Sequence, residues 1–413
     1  MSDKFRIDGQ KLDFHPTRVA AWLAAKNDWE QAKEIFPIYM EISPLGVCNH
    51  ECTFCSVDYM LDRTDSPRLR FDVFKRMLKD MAEHGVLSAM FAGAGEPLLY
   101  KDPQAKKDLA DVILAADWFG LDTAITTNAV LLTEKFSERA FEAERLRWIR
   151  TSINGGDAET YMKIHRSKPE DFDRVLKNLE AAVKIRERLG SDVKLFGQIV
   201  VVPEAKGKKR RSLVLEDYPS NIHTVLPLAQ RLRDIGVDNL GVKPFKQHTV
   251  KLDMTRSSMY NVGTIYADDA MWGELFNDLE SLQTDRFEVT IRRKAMSQQD
   301  AEYRGYSTCF STPYFWAYVE ADGEVWGCSA HVGRIEHGRE IGDHRFRFGN
   351  VNETSFSEIW RGDRRRANWE YTRKPPSEGG LDVSKCMKGC QMDVPNIYLW
   401  QLMNPEPTRS FIK

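Results

Sequence analysis

Cys48-Asn49-His50-Glu51-Cys52-Thr53-Phe54-Cys55 is the stretch on which the rest of the chain is read. Three thiols fall within eight residues, spaced Cys-x3-Cys-x2-Cys, and the other four of seven cysteines (Cys309, Cys328, Cys386, Cys390) lie towards the end of the 413 residues. An odd number of clustered thiols argues against a disulfide framework and for metal ligation in a reducing compartment. Three thiolates are one short of a closed tetrahedral zinc site or a fully ligated cubane, so one metal stays open to a small molecule. His50, between Cys48 and Cys52, is not expected to turn to that metal.

Outward from this loop, short apolar strands alternate with helical patterns. Ile38–Ser43 reads as a strand immediately before the cysteines, and Phe71–His84 as an amphipathic helix after them. Strands are then expected at Val86–Ala92, Leu121–Thr127, Arg147–Ile153, Val193–Val202 and Asn239–Phe245. Helices are expected at Ala105–Phe119, Glu134–Arg145, Phe172–Leu189, Ile222–Ile235 and Ile265–Leu282, and an amphipathic stretch around His15–Leu23 precedes them all. Alternation of this kind gives βαβ units and a parallel α/β sheet, with right-handed crossovers collecting the strand-to-helix loops at one end.

Those loops carry the polar and small residues: Gly93-Ala94-Gly95-Glu96-Pro97, Thr127-Asn128 and Ser152-Ile153-Asn154-Gly155. Singly, each reads as a tight turn or a helix cap. In this order behind Cys-x3-Cys-x2-Cys, the chain resembles the radical S-adenosylmethionine (radical SAM) family. The resemblance implies a partial (β/α)6 TIM-like barrel and a [4Fe–4S] cluster on Cys48, Cys52 and Cys55. S-adenosylmethionine is then expected on the open iron, where its reductive cleavage gives a 5′-deoxyadenosyl radical. It further implies cofactor contacts from Phe54 (adenine), Gly93, Gly95 and Glu96 (ammonium), Thr127 and Asn128 (ribose), and Ser152, Asn154 and Arg166 (ribose or carboxylate). Ala94 departs from the Gly-Gly-Glu-Pro form of the motif.

Cys309-x13-Gly323-x4-Cys328 and then Cys386-x3-Cys390 resemble the SPASM extension of that family in its shortened, twitch form, because three further cysteines are missing. Tyr314–Glu320 and Glu324–Trp326 flank Ala321-Asp322-Gly323 as a hairpin. The expected extension is thus a β-hairpin plus helix carrying an auxiliary [4Fe–4S] cluster, the second of two. A tetra-cysteine zinc site stays open as the alternative, and a non-catalytic zinc scaffold with it. The expected division is 1–37 helical extension, 38–283 barrel, 284–413 auxiliary domain.

With three thiols at the first site and four at the second, none is left to donate a hydrogen atom, so the auxiliary cluster is expected to accept an electron. The resemblance therefore implies an oxidoreductase, dehydrogenase-like. The substrate is expected to be a small molecule such as a sugar or aminocyclitol, with a peptide maturase as the alternative. A flavodoxin or ferredoxin is expected as reductant. Gln198, Lys243 and His248 are candidate acid–base residues near the barrel mouth, and the run Lys206–Arg211 reads as a solvated basic loop.

Composition sets the remaining bounds. Hydrophobic residues make up 42% of the chain, enough for a large core. The 59 Lys+Arg nearly cancel 61 Asp+Glu, which argues against a nucleic-acid partner. No apolar run is long enough to span a membrane, and Met1–His15 lacks the apolar core of a secretion signal, so a soluble cytoplasmic protein is expected.

Overall fold

Ile42, whose side chain is fully buried, ends the strand from which the cysteine loop departs. The computed structural model describes residues 11–25, 27–53, 55, 57, 65–202, 209–210, 213–214, 220–244, 269–293, 295–296, 304–332, 334–336, 339–341, 343–386 and 390–407. That first strand, β1 (Tyr39–Ile42), is followed by β2 (Ser88–Phe91), β3 (Asp122–Thr127), β4 (Leu146–Ser152), β5 (Lys194–Val201), β6 (Asn239–Pro244) and β7 (Glu288–Ile291). Each pairs in parallel with the next, so the strands stand side by side in chain order. β8 (Trp316–Val319) pairs in parallel with the other side of β1, and β9 (Glu324–Trp326) and β10 (Arg347–Asn350) continue the sheet antiparallel. The result is one ten-stranded sheet that carries the expected partial barrel and the expected hairpin together.

Helices cover the outer face. α2 (Phe71–Glu83; α1 is Pro16–Ala25) buries Val73, Phe74, Met77, Leu78 and Met81, the spacing that puts one stripe of a 3.6-residue helix on a sheet. α3 (Leu109–Trp118), α4 (Glu134–Ala140), α5 (Ala158–His165), α6 (Asp171–Leu189), α7 (Val225–Ile235) and α8 (Asp269–Ser281) follow between strands. On the sheet, alternate residues face inward and outward. Met40 and Ile42 are buried in the main core, whereas Tyr39 and Glu41 face the barrel interior with Met90, Trp148, Arg150, Ser152, Gln198, Lys243 and Tyr318.

Several elements depart from the sequence reading. β7 is a seventh parallel strand, and its alternating Val289 and Ile291 were a legible signal. The helix expected from Ala105 starts at Leu109, because Lys101–Asp102 and Lys107–Asp108 pair as a small ribbon and Asp108 forms a capping box with Asp111. The helix expected to reach Arg145 stops at Ala140. α5 was not expected at all, although Asp157 caps it by accepting from the Thr160 N–H.

The chain's two ends share a second core. Val19 and Trp22 of α1 pack with Trp29, Tyr314, Phe315, Trp369 and Leu399. Arg365, fully buried in α10 (Asp363–Arg373; α9 is Phe356–Arg361), joins them: it donates to the carbonyls of Pro313 at 2.8 Å, Trp360 at 2.8 Å and Ala32 at 3.2 Å. Burial pushes its pKa down to about 9, and the Trp360 ring lies 4.0 Å from its guanidinium carbon.

Candidate active site

A cleft of about 580 Å³ occupies the barrel interior. Cys48, Cys52 and Cys55 line it on one side, and Cys328 and Cys390 of the C-terminal set line it too, so both groups of thiols face one space. All seven cysteines are free of disulfides.

Three neighbours hold the first cysteine loop. Glu96 N–H donates to the Val47 carbonyl at 2.8 Å, and Asn128 Nδ2 donates to Asn49 Oδ1 at 2.7 Å. From the far side, the N–H groups of Glu51 and Thr53 donate to the carbonyls of His165 and Ile164 at the end of α5. Gly95 (φ +134°) makes the first of these contacts feasible: a Cβ there would overlap the Leu45 carbonyl oxygen and sit 2.8 Å from that of Val47. Gly93 (φ +102°) is similarly crowded by Tyr318, whose hydroxyl accepts from the Ala94 N–H. The glycines of this motif therefore serve approach to the cysteine loop and to β8, a demand that the sequence reading had placed on the cofactor alone.

Glu96 is buried and accepts three hydrogen bonds: Thr127 Oγ1 at 2.5 Å, the Asn128 N–H at 2.7 Å and the Leu98 N–H at 3.0 Å. Desolvation raises its pKa and these donors oppose the rise. A carboxylate offers about four acceptor positions, so roughly one remains for a ligand. Thr127 Oγ1 also accepts the Ala129 N–H at 2.9 Å, so its hydroxyl already has two protein partners.

Asn154 is likewise engaged: its Oδ1 accepts the Val200 N–H at 2.8 Å. Its own N–H reaches Nε2 of His165 at 3.2 Å, and Nδ1 of the same ring lies 3.2 Å from Cys52 Sγ. Burial, with neighbouring His50 next, drives the His165 pKa well down. His50 Nε2 lies 3.4 Å from Asp171 Oδ2, and the residue also borders the cleft, with its ligand atom within 4.8 Å of those of Cys52 and His165. Ser152 lines the cleft, whereas Arg166 is not among the lining residues. It ends α5 in a left-handed conformation (φ 48°) with an exposed side chain, and the residue that the helix end directs inward is His165. Sequence reading passed over that histidine because α5 itself was not expected.

Two arginines line the cleft, and one of them is Arg150, on β4. It donates to Thr126 Oγ1 at 2.9 Å and lies 5.1 Å from the Trp148 ring centre. Burial lowers its pKa, while Tyr39 and Glu41 oppose that fall. Gln198, Lys243 and Arg292 line the same interior. Inward parity at Arg150 follows from the pairing Thr126↔Arg150, a register that a single sequence does not print. Phe54, His248 and most of the basic run Lys206–Arg211 lie outside the described residues.

Around the second set, Asn396 Nδ2 donates to Cys309 Sγ at 3.5 Å, and the Met392 N–H points to Cys390 Sγ at 3.4 Å. At the first set, the His50 N–H points to Cys48 Sγ at 3.4 Å. Burial, then the neighbouring thiolates, raises the Cys328 pKa, and burial with Cys309 and Cys390 pushes Cys386 up to about 12. Cys48 is pushed up to about 12 by burial and by Glu96. Crowded thiols that resist ionisation alone, yet carry N–H donors aimed at sulfur, fit ligands that a metal deprotonates. Both sets therefore suit a thiolate-held iron–sulfur cluster.

Comparison with known proteins agrees with this chemistry. A family model described as Radical SAM superfamily matches residues 42–209, and one described as Iron-sulfur cluster-binding domain (SPASM) matches residues 309–391. A PqqA peptide cyclase of Bradyrhizobium diazoefficiens is 39% identical over 94 residues, 22% of this chain and 23% of that protein. A GTP 3′,8-cyclase of Shewanella denitrificans is 26% identical over 214 residues, 51% of this chain and 56% of that one. The chain thus matches less than two thirds of the length of these relatives. The crystal structure of Streptococcus suis SuiB bound to S-adenosylmethionine superposes with a TM-score of 0.58 at 17% identity, over 86% of this chain and 78% of that one. SuiB bound to its precursor peptide SuiA gives 0.55 at 18% identity, over 80% and 65%.

Proposed function

The chain belongs to the radical SAM superfamily and carries an SPASM cluster-binding domain, and from that premise we propose that it oxidises or crosslinks a side chain of a peptide. Its cofactors are S-adenosylmethionine and [4Fe–4S] clusters. The observation that carries the reading is that Cys48, Cys52 and Cys55 share one cleft with Cys328 and Cys390. Substrate in that cleft lies between two cluster sites. Bound there, S-adenosylmethionine and a first cluster on Cys48, Cys52 and Cys55 would supply a carbon radical for hydrogen-atom abstraction, and a cluster on Cys309, Cys328, Cys386 and Cys390 would supply a one-electron acceptor, the second hydrogen leaving as a proton to solvent.

The chain's own residues position these partners. Cys48, Cys52 and Cys55 hold the first cluster, and Cys309, Cys328, Cys386 and Cys390 the second. The remaining acceptor position of Glu96 would receive the cofactor ammonium, and Ser152 would offer a hydroxyl to its polar groups. Arg150, Lys243 and Arg292 line the inner wall together with the carboxylate of Glu41, a mixed-charge lining that suits a polar group on the substrate. A peptide replaces the small carbohydrate-like substrate expected from sequence, because one relative is named a peptide cyclase and one structural neighbour is seen with a precursor peptide.

Anaerobic incubation with a one-electron reductant and S-adenosylmethionine tests this. Precursor peptides should stimulate 5′-deoxyadenosine formation and emerge lacking two hydrogens by mass spectrometry. Stimulation by nucleotides or sugars, with peptides inert, would overturn the peptide reading and leave the radical chemistry standing.

A further inference from the structure

We propose that His165 donates a hydrogen bond from Nδ1 to the sulfur of Cys52 and thereby makes the first cluster easier to reduce. The tautomer follows from geometry. The Asn154 backbone N–H can only donate, and it meets Nε2 at 3.2 Å, so Nε2 is the acceptor nitrogen. The ring proton of the neutral imidazole then sits on Nδ1, which faces Cys52 Sγ at 3.2 Å.

The ring has little freedom to leave this pose. Tyr161 stacks on it at 4.1 Å between ring centres with a 25° interplanar angle, and His50 meets it edge-on at 5.2 Å. Its own backbone carbonyl accepts the Glu51 N–H, so the strut that carries the imidazole is hydrogen-bonded to the loop that carries Cys52. Histidine, Asn154 and cysteine loop form one unit.

A donor aimed at a cluster thiolate stabilises the more electron-rich state, because reduction adds negative charge that spreads onto the sulfurs. The reduction takes one electron from an external carrier of the flavodoxin or ferredoxin class, and no bond or proton moves at His165. His165 is thus a positioning residue acting through Cys52. The inference needs Cys52 to hold the first cluster, which iron content and the spectral response to S-adenosylmethionine check separately.

The test is a redox titration of the reconstituted holoenzyme followed by electron paramagnetic resonance, the first cluster being the one whose signal changes with S-adenosylmethionine. In His165→Leu the reduced-to-oxidised ratio of that cluster at fixed poise should fall about tenfold, equivalent to ~59 mV for one electron. His165→Gln, which keeps an N–H donor, should recover most of the loss, and the auxiliary cluster should not move. An unchanged first-cluster potential in His165→Leu, or a Gln variant as impaired as Leu, overturns the proposal. Should the Leu variant fail to take up iron, wild-type enzyme grown with histidine 15N-labelled only in the ring, which leaves the His50 backbone N–H beside Cys48 silent, decides by pulsed spectroscopy. A weak nitrogen coupling accompanied by an exchangeable proton supports the hydrogen bond. No coupling, or the strong coupling of a directly bound nitrogen, overturns it.

Discussion

Glu96 Oε2 accepts the backbone N–H of Asn128 at 2.7 Å, and this bond joins the loop after β2 to the loop after β3. With Thr127 on its other oxygen, the carboxylate does structural work before any ligand arrives. Glu96→Gln should therefore act twice. Its amide nitrogen cannot accept, so one of the three internal bonds is lost at a cost of roughly 1–3 kcal/mol. S-adenosylmethionine affinity should also fall by about tenfold or more, since a charge-assisted contact is lost. Thermal unfolding and equilibrium binding measured on the same preparation separate the two effects.

Gly95→Ala should dismantle the first cluster site. The added methyl overlaps the Leu45 carbonyl in a backbone at φ +134°, so the cysteine loop must shift. Iron content should drop towards that of the auxiliary cluster alone. Gly120→Ala is the control: at φ +82° it has nothing within 4 Å, so it should cost only about 1–2 kcal/mol of backbone strain and leave iron unchanged.

The fold was largely legible because its signals are local. Apolar strands, amphipathic helices and the order of the loops follow from side-chain period and turn chemistry, and the cysteine spacing placed the site. What escaped reading depends on long-range pairing. The place of β8 against β1 is set by Tyr39↔Trp316, residues separated by most of the chain. His165 became visible only once α5 was seen to turn back onto the Cys52 loop, and Arg150 only through its register with Thr126. Arg166 read well as a carboxylate partner by residue type, yet its backbone closes a helix and the exposed residue is not among those lining the cleft.

Arg365→Ala should be among the most destabilising single changes outside the cleft. It removes the guanidinium donor from the carbonyls of Pro313 and Trp360, and from that of Ala32, which keeps the Ile35 N–H, in a buried seam between the chain's two ends. Buried groups left unpaired cost about 1–3 kcal/mol each, so a loss of roughly 3 kcal/mol or more is expected by denaturant unfolding. Iron loading of the folded fraction should stay normal.

Glu358 gives a pH signature. Ser355, then Thr354, hold its carboxyl at about 2, below the usual carboxylate range, through the capping box of α9. A depressed acid pKa contributes stability that is complete above the unfolded value and is lost as pH falls towards the folded one. The melting temperature of wild-type apoprotein should exceed that of Glu358→Gln above about pH 5, and the gap should narrow steadily as pH falls below the ordinary Glu range near 4.3. A gap that is constant across that window would contradict the assignment.

Metal content distinguishes the two chemistries that the cysteines allow. Anaerobically prepared protein should hold about eight irons with matching acid-labile sulfide, and two zincs without sulfide would remove the radical reading altogether.

Two cluster sites bordering a single cleft form the centre of the account, and Cys386→Ala tests it most directly. With substrate, reductant and S-adenosylmethionine, this variant should still form 5′-deoxyadenosine while the dehydrogenated product disappears. Undiminished oxidised product from a variant shown to lack the auxiliary cluster would contradict the account.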